Sequence, residues 1–297
     1  MPVPPDQWGG RGKNGGDAPG RDDRCAVPKQ DILGDTMANT VHLHDASNSF
    51  VATYATIQDA IDNAGTGYFV YIAAGTYAEN VVVDTALNIV GETDGTTGAP
   101  LVDVGTAAGT AFTILANAPG ADVTISGVNI DGANVGVTVS PAAVLDSVSL
   151  DNVSITNSAG TGFNANDADQ VGAISIENSS FEKNALGVST GGDIVIFQYN
   201  GDVNLSNVDI VGADAGAASK AATAVQISGF DQTTYDVRAP IGTVVFNDVT
   251  VNGDYNKPHL MIQGYEDLNG LSFSNIDLSG TPGWGTHVFV DPIGSSG

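Results

Sequence analysis

Cysteine is nearly missing from this chain: Cys25 is the one example in 297 residues. An internal disulfide is excluded, and so is a zinc site built from thiolates. Basic side chains are scarce as well. Lys and Arg total 9 against 34 Asp and Glu, a formal net charge of -25. Binding to DNA, RNA or an anionic membrane needs a basic footprint, which this balance denies. No stretch of about 18 apolar residues occurs, so insertion across a membrane is not expected. Residues Met1 to Gly34 lack the apolar core of a secretory signal. An exported form would have lost its signal or would carry it elsewhere in a longer parent chain.

What the chain does have is glycine, 38 residues, and a hydrophobic content of 42% in short Val/Ile runs. That combination points to β-structure with tight turns. The acidic residues are 29 Asp and only 5 Glu. Asp suits turns, because its short side chain bonds nearby backbone and tolerates the left-handed region. The acidic surface suits solubility and Ca²⁺, a cation that takes oxygen ligands. Neither an EF-hand loop nor a calcium-binding nonapeptide is present, so Ca²⁺ stays an expectation without assigned ligands. So much acid with so little Lys also suits a salt-rich environment.

Residues 1–40 are rich in Pro and Gly, hold five of the nine basic residues, and show no apolar periodicity. They read as a flexible tail or linker. Residues 41–293 read as one domain, a cap over 41–92 followed by repeats over 93–293. In the cap, Ile57, Ala60, Ile61 and Ala64 fall on one face of a helix of about three turns. Thr56 is placed to cap it, Asp59 to complete a capping box, and Gly65 to end it.

The repeat decides the fold. Its unit is apolar-x-apolar-x-Asn-apolar-x-apolar-x-Gly/Asn, and it starts at Val123, Val148, Ile174, Val203, Val244 and Leu271. Positions 1 and 3 alternate inward, as strand residues do. Position 5 is Gly127, Asn152, Asn178, Asn207, Asp248 or Asn275. These types tolerate positive φ, so the chain can bend there and turn positions 6 and 8 inward again. A third short strand is expected at Gly136–Val139, Gly162-Phe163, Gly187-Val188, Ala224–Ile227 and Leu260–Ile262. Stacked coils would place the position-5 amides in a hydrogen-bonded ladder. The result is all-β: a right-handed parallel β-helix with a short N-terminal capping helix. An antiparallel sandwich also has short alternating strands, but gives no reason for Asn at one register.

The run TIQDAIDNAGTGYFVYIAAGTYAENVVVDTALNIVGE, residues 56–92, resembles the N-terminal cap and first coils of pectin-lyase-like β-helix proteins. With the repeats behind it, the resemblance covers about residues 50–290. It implies the fold and leaves the activity open, because this fold hosts lyases, hydrolases, esterases, epimerases, tailspikes and adhesins. The resemblance transfers no catalytic residue. The N-T-D, D-D, G-H-G and R-I-K motifs of polygalacturonases are absent. So are the W-x-D-H and R-x-P-x-x-R segments of pectate lyases, and the D-F-I-F-G and L-G-R-P-W segments of pectin methylesterases.

One region carries candidate chemistry. The interval between the units at 203 and 244 is enlarged to 41 residues. It contains Asp231, Tyr235, Asp236 and Arg238; Tyr255, Lys257, His259 and Tyr265 follow one coil later. Adjacent coils would bring them to one side. Asp231, Asp236, Arg238, Lys257 and His259 are the candidate catalytic residues, and Tyr235, Tyr255 and Tyr265 the candidate ligand-binding ones. The plainer reading is a solvated loop cluster whose Tyr rings cover the core edge. His42 and His44 alternate in a strand and can hold a metal, but read more simply as a surface pair. Asp131, Asp151, Asp209 and Asp277 should face solvent. No obvious cap follows Asp291-Pro292-Ile293, so a further domain, subunit or repeat is expected at that end.

The first expectation for function is a non-enzymatic extracellular or cell-surface module with a structural, adhesive or glycan-binding role. A polysaccharide lyase, epimerase or hydrolase acting on an acidic glycan is the alternative, and a phage tailspike-like receptor-binding trimer the third. A polysaccharide or cell-surface glycan is the expected partner.

Overall fold

The computed structural model describes residues 39–93, 98–105, 109–229, 242–265 and 270–292. They form an all-β solenoid of the right-handed type. The chain winds through three sheet faces, and neighbouring strands are parallel and come from successive coils, except that Val41–His44 pairs antiparallel with Phe50–Tyr54 and Phe69–Ile72 at the N-terminal end. One face stacks eight strands, from Val81–Val83 through Thr110–Ile114, Val135–Val139, Thr161–Asn166, Gly192–Phe197, Thr223–Ser228 and Leu260–Tyr265 to Val288–Pro292. The other two faces merge into one hydrogen-bonded sheet, because strands such as Asp202–Val211 run across the bend between them.

The register follows the sequence repeat. Val123 pairs with Val148, Val148 with Ile174, Ile174 with Val203, Val203 with Val244, and Val244 with Leu271. These are the six unit starts, stacked in one column. At the bend, φ is +66° at Gly127 and between +50° and +54° at Asn152, Asn178, Asn207, Asp248 and Asn275. The bend returns Ile130, Ile155, Phe181, Ile210 and Val251 to the interior, all fully buried. In the looser third unit Ser179 takes an inward position. Its hydroxyl donates to Glu177 O at 2.6 Å and accepts from Val153 N at 3.1 Å, so the buried polar group is satisfied.

Three expectations are corrected. The amide ladder is interrupted. Asn207 Nδ2 donates to Asn178 Oδ1 and Asn275 Nδ2 to Asp248 Oδ1, but Asn178 Nδ2 donates to Asp151 rather than to Asn152. A carboxylate accepts a stronger hydrogen bond than an amide oxygen, so the preceding Asp takes the donor. The third strand of its coil is Gly192–Phe197, not Gly187-Val188. Positive φ at Lys183, Ala185 and Gly187 makes that earlier stretch a turn. The helix is shorter than three turns, Ile57–Asp62. Thr56 caps it as expected, accepting from Asp59 N at 3.0 Å. The other free N–H groups, of Ile57 and Gln58, go to the two carboxylate oxygens of Glu79, each at 3.0 Å. A carboxylate at a helix N-terminus meets both the unpaired donors and the dipole. The helix buries Ile57, Ala60 and Ile61 against Val41–His44, Phe50–Tyr54, Phe69–Ile72 and Val81–Val83.

At the other end, Leu271–Ser279 is in register with Val244–Asn252, and Phe273 stacks on Phe246 with ring centroids 5.1 Å apart. Phe246 is fully buried, whereas Phe273 is 41% exposed.

Candidate functional site

The interior of the solenoid is not wholly apolar. On the third face the pairing skips one position per coil: Val135 and Val137 pair with Thr161 and Phe163, so Gly136 and Gly162 are passed over. The same skip passes over Asp193 and Ala224. These positions point inward at a corner. A Cβ on Gly136 would lie 2.6 Å from Ile155 Cγ2, and one on Gly162 would lie 2.9 Å from Phe181 Cδ1. In the coils of Gly136 and Gly162 the corner therefore has room only for glycine, whereas the coil before them places Ala111 there. In the later coils it holds Asp193 and Ala224, and His259 immediately precedes the next strand of this face.

Asp193 is fully buried. Asn184 Nδ2 donates to its Oδ1 at 3.0 Å and the Tyr255 hydroxyl to its Oδ2 at 2.9 Å. Burial pushes its carboxyl up to about 7, against the pull of those two hydrogen bonds. Tyr255 is buried too, and its hydroxyl is pushed well above the usual phenol range, first by burial and then by the charge of Asp193. Gly212 makes space for that ring, since a Cβ there would lie 2.5 Å from Tyr255 Cζ.

His259 is fully buried. Its Nδ1 sits 3.0 Å from His287 Nδ1, so one ring donates and the other accepts. Among the described residues, its Nε2 makes no well-aligned hydrogen bond. Burial first, and His287 second, push the imidazole down to about 4. His287 is half-buried and lines an open depression of about 580 Å³ with Phe273, Ile276, Asp277, Leu278 and Val288. Tyr255 and His259 meet only edge to face, with centroids 5.2 Å apart. Among the described residues, no hydrogen bond joins the Asp193–Tyr255 pair to the His259–His287 pair.

A third cluster lies at the coil edge. Asp254 accepts from Gly216 N at 2.9 Å, Lys220 Nζ at 3.1 Å and Thr281 N at 2.9 Å. The Gly216 amide first, and Lys220 second, hold its carboxyl well below the usual range. Lys183 lies 3.5 Å from Glu182 and 4.0 Å from Asp214.

Of the candidate residues read from the sequence, Tyr255, Lys257, His259 and Tyr265 fall among the described residues, and Tyr255 and His259 are buried rather than displayed on an open surface. Tyr255 is buried against Asp193 and His259 against His287. Lys257 is half-buried, and its backbone N–H bonds Ala222 O. Tyr265 ends the strand Leu260–Tyr265. Asp231, Tyr235, Asp236 and Arg238 lie outside the described residues. Sequence reasoning missed Asp193, Asn184 and His287. A signal for Asp193 existed: aligning Gly136-Val137, Gly162-Phe163, Asp193-Ile194 and Ala224-Val225 puts it at the corner. Placing the third strand at Gly187 hid that alignment. Among the described residues, no group of three or more His, Cys, Asp or Glu is arranged to hold a metal. His42 and His44 stand on the outer face of the first sheet, with Nδ1 atoms near Thr53 Oγ1 and Asn48 O.

Strand order defines the class, a right-handed parallel β-helix. No protein-family model matches the chain, and no curated protein matches it. Among solved structures, the chain is similar to the PL6 family alginate lyase AlyGC, at 12% identity and a TM-score of 0.40, over 78% of this chain and 38% of that one. It is similar to ORF18 of Geobacillus virus E2, at 14% identity and a TM-score of 0.40, over 80% and 58% of the two chains. The A-module of Azotobacter vinelandii mannuronan C-5 epimerase AlgE4 is similar at 12% identity and a TM-score of 0.37, over 79% and 92%. The chain thus spans less than two thirds of the first two. Likeness at this level assigns no activity. Among the described residues, no helix is long and apolar enough to cross a membrane.

Proposed function

We propose that this chain is a non-catalytic β-helix module of an extracellular or cell-surface protein, with a structural or adhesive, glycan-directed role. The observation that carries the reading is the burial of its acid–base groups. His259 and Asp193 are fully buried, and Tyr255 is 1% exposed. A general acid or base must reach the proton it moves, and none of these three side chains is open to solvent. The scarce cations support the same reading. Lys220 pairs with Asp254 and Lys183 with Glu182, so neither is an idle cation for a uronate carboxylate. On this reading residues 41–293 are one domain, the helix Ile57–Asp62 caps its N-terminal end, and residues 1–40 are a linker. A further domain or subunit continues the stack at the other end.

The test is a polysaccharide panel assayed for binding and for release of reducing or unsaturated ends, with and without Ca²⁺. Binding without new ends is the expected result. Release of new ends by the purified protein would overturn the non-catalytic reading, and calcium-dependent binding would identify the cation.

A further inference from the structure

The outer face of the sheet formed by Val41–His44, Phe50–Tyr54 and Phe69–Ile72 carries an aromatic patch. His44 pairs with both Phe50 and Phe69, and His42 pairs with both Thr53 and Tyr71. Cross-strand partners share a face, so these six side chains form two short rows on one surface. Their neighbours along the strands, Val41, Leu43, Val70 and Ile72, point the other way and are fully buried. The rings therefore contribute nothing to the core, and Phe50 is 60% exposed. They touch one another. His44 meets Tyr71 and Phe50 edge-on at 4.9 and 5.7 Å, and Phe69 and Tyr71 lie near-parallel, with centroids 6.1 Å apart. In the next coils the Phe69 row continues as Asn88, Thr124 and Ser149 and the Tyr71 row as Val90, Ser126 and Asp151, without rings.

Two features hold the patch in place. A register shift between Leu43 and His44 makes Val51 an extra residue, which puts Phe50 opposite His44. Bulges re-aim side chains in this way. The turn that follows is tied down by Asp45, whose Oδ1 accepts from Ser47 N and Ser49 N, each at 2.9 Å. Asn48, at φ +63°, accepts from Tyr71 Oη through its side chain at 3.1 Å, and its carbonyl lies 3.2 Å from His44 Nδ1. Rigid rings with polar tips, ordered before any ligand arrives, suit binding at low entropic cost.

We propose that Phe50, Phe69 and Tyr71, with His42 and His44 between them, form a platform that binds a neutral pyranose polymer. Sugars with equatorial hydroxyls present flat C–H faces that stack on rings, while imidazole and amide groups meet the hydroxyls. Residues 41–72 contain no Lys or Arg but include Asp45, Asp59 and Asp62, so the surface favours an uncharged chain over a uronate. The inference rests on the glycan-directed reading above and gives it a site.

The test is affinity electrophoresis of the full chain in gels containing hydroxyethylcellulose, xylan or galactomannan, with alginate and polygalacturonate as anionic controls. The protein should be retarded by at least one neutral polymer and by neither anionic one. Phe50→Ala with Tyr71→Ala should weaken that retardation at least tenfold, and the melting midpoint should move by no more than a few degrees. His44→Gln, which keeps a hydrogen-bonding side chain, should retain most binding. Absence of neutral-polymer binding overturns the inference. Neutral binding that survives the double variant overturns the platform but leaves the glycan-directed reading standing. Wild-type self-association that the double variant abolishes would make the patch a contact between copies and also overturn it.

Discussion

Replacing Asp193 by Asn removes a buried charge while keeping the shape of the side chain. Its carboxyl is raised from 3.8 to about 7 in the folded protein. The folded state therefore holds a proton that the unfolded chain has released between those two values. Stability from this group is fully present below pH 3.8 and is lost as pH rises through about 7. At about 1.4 kcal/mol per unit, the loss amounts to roughly 4 kcal/mol across that window. Asn cannot ionise, so the variant escapes the loss. Its Oδ1 can still accept from Asn184, and its amide can face the Tyr255 hydroxyl. Thermal and urea melts of both proteins at pH 5 and pH 8 measure the effect. The variant should gain on the wild type between those pH values, by up to about 10 °C in midpoint for a chain of this size. A difference that stays flat with pH would refute the argument and mean that Asp193 remains ionised by drawing on water or a cation.

The other predictions follow the same physics. His259, pushed down to about 4, behaves oppositely: its contribution is present above pH 6.5 and is lost as pH falls towards 4. His259→Leu should therefore flatten the acid side of the stability profile, read from melting midpoints at pH 4.5 and 7. Asn207 sits at φ +53° and donates to Asn178. Asn207→Ala should cost about 1–3 kcal/mol in urea melts, and Asn207→Gly about half as much, because glycine accepts the bend and loses only the hydrogen bond. Glu79→Ala leaves Ile57 N and Gln58 N without their acceptor, and should destabilise by roughly 1–2 kcal/mol. Amide exchange should localise that loss to residues 57–62.

Much of the winding is legible in the chain. The apolar alternation and the Asn or Gly at position 5 are local properties, and each coil repeats them, so the column from Val123 to Leu271 can be read directly from the spacing of the repeats. The bend needs a residue that tolerates positive φ, and few residue types do. The helix cap is only half legible. Thr56 lies beside its donor in sequence, whereas Glu79 reaches the same helix end from another coil.

The candidate site is obscured for a related reason. Tyr255, Lys257 and His259 look like a polar loop cluster, and polar residues outside regular strands ordinarily face water. Which way a side chain points at a coil corner depends on the skipped pairing, and on whether the coils above and below leave room. Gly136 and Gly162 have none to spare, while the later coils admit Asp193.

The amino-acid sequence by itself determined the solenoid and the residues that line it, because repeated alternation and repeated bends leave one way to bury the apolar faces. Tertiary structure decided what is inside. Hydrogen bonds between residues far apart in the chain, such as Tyr255 to Asp193 and His287 to His259, turned apparent surface chemistry into buried pairs. The same long-range pairing gathered Phe50, His44, Phe69 and Tyr71 from three strands onto one outer face. No local pattern records such contacts, since each depends on which coil lies next to which.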